Sequence, residues 1–169
     1  MKNIVLTGFM CTGKSTIGRV ISKKMGFRFV DSDDYIVEKT KMPISEIFEK
    51  YGESEFRKIE KECIKEISLL KNCVIATGGG VVLDPENVEN LKKNGVVFNL
   101  NAKAETILLR VGAIKKRPLI KDSSPEEIKQ RMENRQPFYD NNHFKIDIDN
   151  KGPMQIAAVI IKSYKSFIS

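Results

Sequence analysis

The chain has no apolar run near the ~20 residues that a membrane-spanning helix needs. It has no CxxC pair. Its three cysteines, Cys11, Cys63 and Cys73, are odd in number and scattered, which indicates neither a zinc site nor a disulfide framework and suits a reducing compartment. The one histidine, His143, lies in the loop-like stretch "DNNHFK", so a mechanism built on a histidine base is not indicated. No internal repeat, low-complexity stretch or linker divides the 169 residues, and a single domain over 1–169 is expected. Arginine is scarce, at seven copies. The net charge of +7 is carried mostly by lysines on helix-like segments such as "KKMG" and "LKKNG", a solvated face that fits anionic small molecules or nucleic acid. The opening "MKNIVLTGFMC" has the lysine and apolar run of a signal peptide, but Gly8 breaks the run, and a cytoplasmic protein is expected.

What is present is an alternation. "NIVLTG", "FRFVD", "CVIAT", "VVFNLN" and "FKIDID" read as five short strands. Between them lie helical patterns: "KSTIGRVISKKMG", ending at Gly26; "DDYIVEKT", "ISEIFEKYG" and "ESEFRKIEKECIKEISLLK"; "DPENVENLKKNG", with Asp84 as N-cap, Pro85 at the first position and Gly95 as the stop; and "AETILLRVG". "SPEEIKQRMENRQPFY" follows with Ser124 and Glu127 in capping-box spacing, and "PMQIAAVIIKSYKSFI" closes the chain. Strands alternating with helices predict an α/β protein, a five-stranded parallel sheet covered on both faces.

The stretch "GFMCTGKST", Gly8 to Thr16, matches G-x4-G-K-[ST] between a strand and a helix. Such a loop cradles phosphates with backbone N–H groups and the positive helix end. Cys11, Thr12, Gly13, Lys14, Ser15 and Thr16 are the candidate ATP contacts, with Lys14 toward the β- and γ-phosphates and Ser15 toward Mg²⁺. A carboxylate near the metal is also expected. The third strand ends "ATGGG" with no acid, so Asp31, at the end of "FRFVD", is the candidate, acting through water. Asp33 is two residues on, and alternation along an extended chain points both side chains the same way, leaving Asp33 for the acceptor. The competing account is that these aspartates only cap the helix starting near Asp34. Three glycines in a row, Gly78 to Gly80, carry a large conformational cost, and close approach to the backbone is the usual reason for accepting it.

Arg57 lies in "SEFRKIE", Arg117 in "KKRPL" and Arg135 in "ENRQPFY". Arg117 falls in a Pro-containing loop between two helices, where a phosphoryl-transfer enzyme has a closing lid. Arg131 and Arg135 share a helix face, and only one of them need point inward.

Six of these pieces, in order, resemble the shikimate kinase family over nearly the whole chain: "GFMCTGKST", "FVDSDD", "GESEFRKIE", "ATGGGVV", "KRPLI" and "NRQPFY". The resemblance implies a P-loop kinase fold with a substrate-binding helical segment at about 33–60 and a lid at about 112–124. It implies transfer of the γ-phosphoryl of Mg-ATP to the 3-hydroxyl of shikimate, a step of aromatic amino acid biosynthesis. Asp33 would hold the acceptor hydroxyl, with Lys14 and Arg117 on the phosphates. Arg57 and Arg135 would grip the shikimate carboxylate, for which the guanidinium fork is suited. Gly78, Gly79 and Gly80 would offer N–H groups to the same substrate, Gly79 foremost. Arg110 and the segment around Pro153 would flank the adenine. The expected partners are ATP and shikimate, with no nucleic acid and no membrane, and a monomer. Two departures stand out. Cys11 occupies a place where the family often has glycine or another small residue, and after "FVDSDD" the family's I-E and later glycine are replaced by Val37 and Lys41. The alternatives are another small P-loop kinase, acting on gluconate or a nucleoside monophosphate, and a P-loop protein that binds nucleotide or nucleic acid without catalysis.

Overall fold

The computed structural model describes residues 1–113 and 123–169. Five strands form one parallel sheet: β1 (Asn3–Gly8), β2 (Arg28–Asp31), β3 (Cys73–Ala76), β4 (Gly95–Asn101) and β5 (Phe144–Asp147). Their spatial order is β2-β3-β1-β4-β5. The central strand reads "NIVLTG", with Ile4, Val5 and Leu6 apolar in succession because both faces are covered, and all six of its residues are buried. Alternation sorts them. Ile4 and Leu6 pack with Phe98 and Leu100 of β4 on one face, against Ile17 and Ile21 and against Ile156 and Ile160. Val5 packs with Val97 and Ile75 on the other, against Ile64, Ile67 and Leu91.

The covering helices are α1 (Lys14–Met25), α2 (Ser32–Thr40), α3 (Ile44–Ser68), α4 (Pro85–Asn94), α5 (Ala104–Ala113), α6 (Pro125–Tyr139) and α7 (Pro153–Ile168). Their ends follow the expected chemistry. Gly26 closes α1 in the left-handed conformation, Asp84 caps α4 ahead of Pro85, and Ser124 with Glu127 forms a complete capping box on α6. Gly52, at φ 80° and ψ 172°, breaks α3 at the point where the sequence reads as two helices. A small cluster of Ile36, Ile47, Phe56 and Cys63 gives α2 and the start of α3 a core of their own.

Gly95 ends α4, as expected, without being a left-handed cap. It is extended, at φ −135° and ψ 158°, and is already the first residue of β4. Its Cβ would fall 2.7 Å from the Leu91 carbonyl and 2.8 Å from Val5, so the tight change from helix to strand is what needs glycine there. One expectation needs correction: strand alternation does not relate Asp31 to Asp33, because α2 already begins at Ser32.

Candidate active site

The strands of a parallel sheet all point their C-terminal ends one way, and a ligand crevice opens there, where neighbouring connections leave in opposite directions. Here β1 delivers the loop Phe9–Gly13, β2 delivers Asp31 and Asp33, and β3 delivers the glycine triplet. In the first loop Gly8 and Gly13 hold φ of 146° and 91°, and Cys11 is also left-handed at φ 60°. The Lys14 ammonium donates to the carbonyls of Gly8 and Phe9, at 2.7 and 2.9 Å. This folds it back over the mouth of the loop. The Thr12 hydroxyl donates to Phe9 O, bracing the turn from inside.

The two Asp31 oxygens do different work. Oδ2 accepts from the Ser15 hydroxyl at 2.7 Å. Oδ1 accepts from the Asp33 N–H at 3.0 Å and caps α2. The capping account and the metal account therefore describe one side chain, and Asp31 reaches Ser15 while it caps. Because α2 starts at once, Asp33 turns toward the triplet. A Cβ added to Gly78 would lie 2.6 Å from Asp33 Oδ1.

The triplet brings the remaining candidates together. A Cβ on Gly80 would fall 2.4 Å from Arg57 Nη1, and one on Gly79 would sit 3.7 Å from the Met10 N, 3.7 Å from Tyr139 Oη and 3.9 Å from Arg135 Nη1. Asp33, Arg57, Arg135 and the first glycine loop thus meet around three residues. One expectation fails in detail. The Gly78 N–H donates to the buried Ser32 hydroxyl at 2.8 Å, so it is not offered to a ligand. The N–H groups of Gly79 and Gly80 make no hydrogen bond among the described residues.

Three participants were not singled out from the sequence. Glu60, only 2% exposed, receives Arg57 Nη1 at 2.7 Å. Burial pushes its carboxyl up, and the Arg57 guanidinium draws it back down. A buried carboxylate three residues after an arginine on a helix is a readable signal for an anchored guanidinium. Tyr139 donates its hydroxyl to Gly79 O at 2.5 Å. Burial drives that phenol up to about 12, against the pull of Arg135 and Arg57, so it stays a donor. Ser32 is the third.

On the other side of the first loop, Arg110 Nη1 donates to Cys11 O at 3.0 Å. Arg110, Pro153, Ile156, Gly13 and Thr16 line a cleft of about 150 Å³ beside the start of α1. Arg131 is half-buried and makes none of the contacts that Arg135 makes with Gly79 and the Phe9 ring. Arg117 and most of the 112–124 segment lie outside the described residues.

A phosphate loop opening a helix, a hydroxyl paired to a carboxylate at its mouth, and a second pocket of two arginines and an aspartate define a P-loop kinase that phosphorylates a small anionic acceptor. A family model described as shikimate kinase matches residues 10–165. A shikimate kinase from Thermodesulfovibrio yellowstonii is 51% identical over 166 residues, covering 98% of this chain and 96% of that protein. The solved shikimate kinase from Acinetobacter baumannii in complex with shikimate superposes with a TM-score of 0.91 at 35% identity, covering 98% of this chain and 94% of that one. The chain belongs to the shikimate kinase family, whose members use ATP, with a divalent metal, to phosphorylate a hydroxyl of shikimate. A gluconokinase from Sinorhizobium meliloti shares the fold alone, with a TM-score of 0.60 at 12% identity, and the gluconate alternative is not favoured.

Proposed function

We propose that the chain transfers the γ-phosphoryl group of Mg-ATP to the 3-hydroxyl of shikimate, and that its residues divide into a phosphate side and an acceptor side. The observation that carries this is the convergence of Asp33, Arg57, Arg135 and the first glycine loop on Gly78–Gly80.

On the phosphate side, the loop Cys11–Gly13 and the start of α1 at Lys14, Ser15 and Thr16 bind the ATP phosphates through backbone N–H groups. Lys14 exchanges its loop carbonyls for the γ-phosphate. Arg110 and Pro153 flank the adenine in the cleft they line. Arg117 is assigned to the phosphates on its sequence motif alone. No group of three or more His, Cys, Asp or Glu side chains suited to a metal exists among the described residues. That fits Mg²⁺, which takes one or two carboxylates with waters and substrate phosphates rather than a full protein cage. Ser15 and Asp31 would hold it, and when bound it neutralises charge on the β- and γ-phosphates.

On the acceptor side, Arg57 and Arg135 receive the shikimate carboxylate. Glu60 holds Arg57 in place and offsets part of its charge. Gly79 and Gly80 supply N–H donors. Asp33 orients the 3-hydroxyl and accepts its proton as the new P–O bond forms; a carboxylate is too weak a base to ionise an alcohol beforehand, and in a loose transition state it does not need to. A cytoplasmic monomer acting without nucleic acid completes the reading.

The test is ADP release from Mg-ATP with shikimate, quinate or gluconate. Release that depends on shikimate is expected. Equal release with no acceptor, or release with gluconate only, would overturn the assignment.

A further inference from the structure

Every peptide plane of the glycine triplet is held by a named partner. All peptide bonds among the described residues are trans, so a carbonyl and the following N–H point in opposite directions. The Thr77–Gly78 plane is set by the Gly78 N–H donating to Ser32 Oγ. The Gly78–Gly79 plane is set by the Val81 N–H donating to Gly78 O at 3.2 Å. The Gly79–Gly80 plane is set by a side chain from a different layer, the Tyr139 hydroxyl on Gly79 O. Tyr139 is 4% exposed and packs with Phe9, Val82 and Ile128, so its ring cannot swing away without opening that cluster.

We propose that Tyr139 is a positioning residue for the acceptor: by donating to Gly79 O it holds the Gly79–Gly80 peptide so that the Gly80 N–H faces the substrate. The proposal rests on the reading above that Gly79 and Gly80 contact shikimate. A peptide between two glycines is the least restrained kind in a chain, since neither neighbour has a Cβ to limit rotation. The hydroxyl therefore does here what side-chain bulk does elsewhere. It also ties the triplet to α6, the helix that carries Arg135, so the carboxylate grip and the N–H donor share one reference frame.

The experiment compares Tyr139→Phe, which keeps the ring and removes only the donor, with Arg135→Lys. Expected for Tyr139→Phe is a rise of about tenfold in KM for shikimate, the scale of one lost hydrogen bond. KM for ATP should stay within about twofold. In ligand-free protein the Gly79 and Gly80 amide resonances should shift and broaden relative to wild type. Arg135→Lys raising the shikimate KM while Tyr139→Phe leaves it, and the amide signals, unchanged would overturn the proposal and leave the acceptor reading standing. Neither variant moving the shikimate KM would overturn both. A fall in melting temperature with both KM values rising together in Tyr139→Phe would make the hydroxyl merely structural and also overturn the proposal.

Discussion

Gly8 and Gly13, which flank the loop between β1 and α1, hold φ of 146° and 91°, whereas Gly78, Gly79 and Gly80 have no positive φ among them. The first loop uses glycine for backbone shape, to curl N–H groups inward around an anion. The second uses it for space. Its backbone suits any residue, but Asp33 and Arg57 occupy the volume a Cβ would take at Gly78 and Gly80. One residue type thus answers two physical demands. On the proposed assignment, a substitution in the first loop is expected to strike the fold or the phosphates, and one in the second to strike the acceptor.

The sharpest way to break this division is across its two charged groups. Lys14→Ala should lower kcat by about 10³-fold, since it removes a cation from a developing phosphoryl charge, with the fold retained by circular dichroism. Asp33→Asn should lower kcat by roughly 10²-fold or more while the Kd for ATP in a nucleotide titration stays unchanged. A large loss of ATP affinity in Asp33→Asn would erase the boundary between the two sides.

Alanine at the two kinds of glycine comes next. At Gly8 a Cβ would lie 2.6 Å from the Leu100 carbonyl, on top of a disfavoured φ. Gly8→Ala should cost about 3 kcal/mol in denaturant unfolding. At Gly80 the obstacle is the far end of the Arg57 side chain, which can move. Gly80→Ala should leave unfolding nearly unchanged and raise the shikimate KM by about tenfold, and this rise should shrink in an Arg57→Ala background because the two sites share one contact.

A smaller effect tests the conformational reading alone. Cys11 and Lys41 stand where the resembled pattern has glycine or a small residue, and both are left-handed, at φ 60° and 57°. Lys41 ends α2 with its N–H on Val37 O. Lys41→Gly should add about 1 kcal/mol of stability in chemical unfolding, as expected for relief of a non-glycine left-handed cap.

His143 lies on neither loop and serves as a reference. Its Nδ1 accepts from the Val97 N–H at 2.9 Å, while its own N–H donates to Val97 O, so the ring completes the β4–β5 edge. Burial lowers its pKa, helped by Lys92 and Lys2 and opposed by Glu89. A folded value below the unfolded one means that its contribution is present above about pH 6.5 and is lost as pH falls through the folded value. Melting temperature should drop over that acid window, and the drop attributable to His143 should be the same in variants of either loop. Replacement by Gln should flatten it.

Much of this is legible in the sequence. The strand and helix alternation, the caps at Asp84 and Ser124, the phosphate loop and the break at Gly52 are local events, set by residues within a few positions of each other. Gly95 is legible as the end of α4, but the reason for glycine there, a crowded helix-to-strand change, is set partly by Val5, ninety positions away in the chain. Strand alternation from Asp31 would turn Asp33 the same way, but the early start of α2 sets its direction instead.

The fold class and the phosphate-binding loop are set in the sequence alone, because periodicity, capping and a contiguous anion loop are properties of short stretches. The proposed acceptor-side arginines are named through the family resemblance. Only the tertiary structure fixes how Asp31 splits its oxygens between Ser15 and α2, that Gly78 spends its N–H on Ser32, and that Tyr139 holds Gly79. Most of those are contacts between elements far apart in the chain. Their geometry follows from how the helices pack on the sheet, which no local pattern encodes.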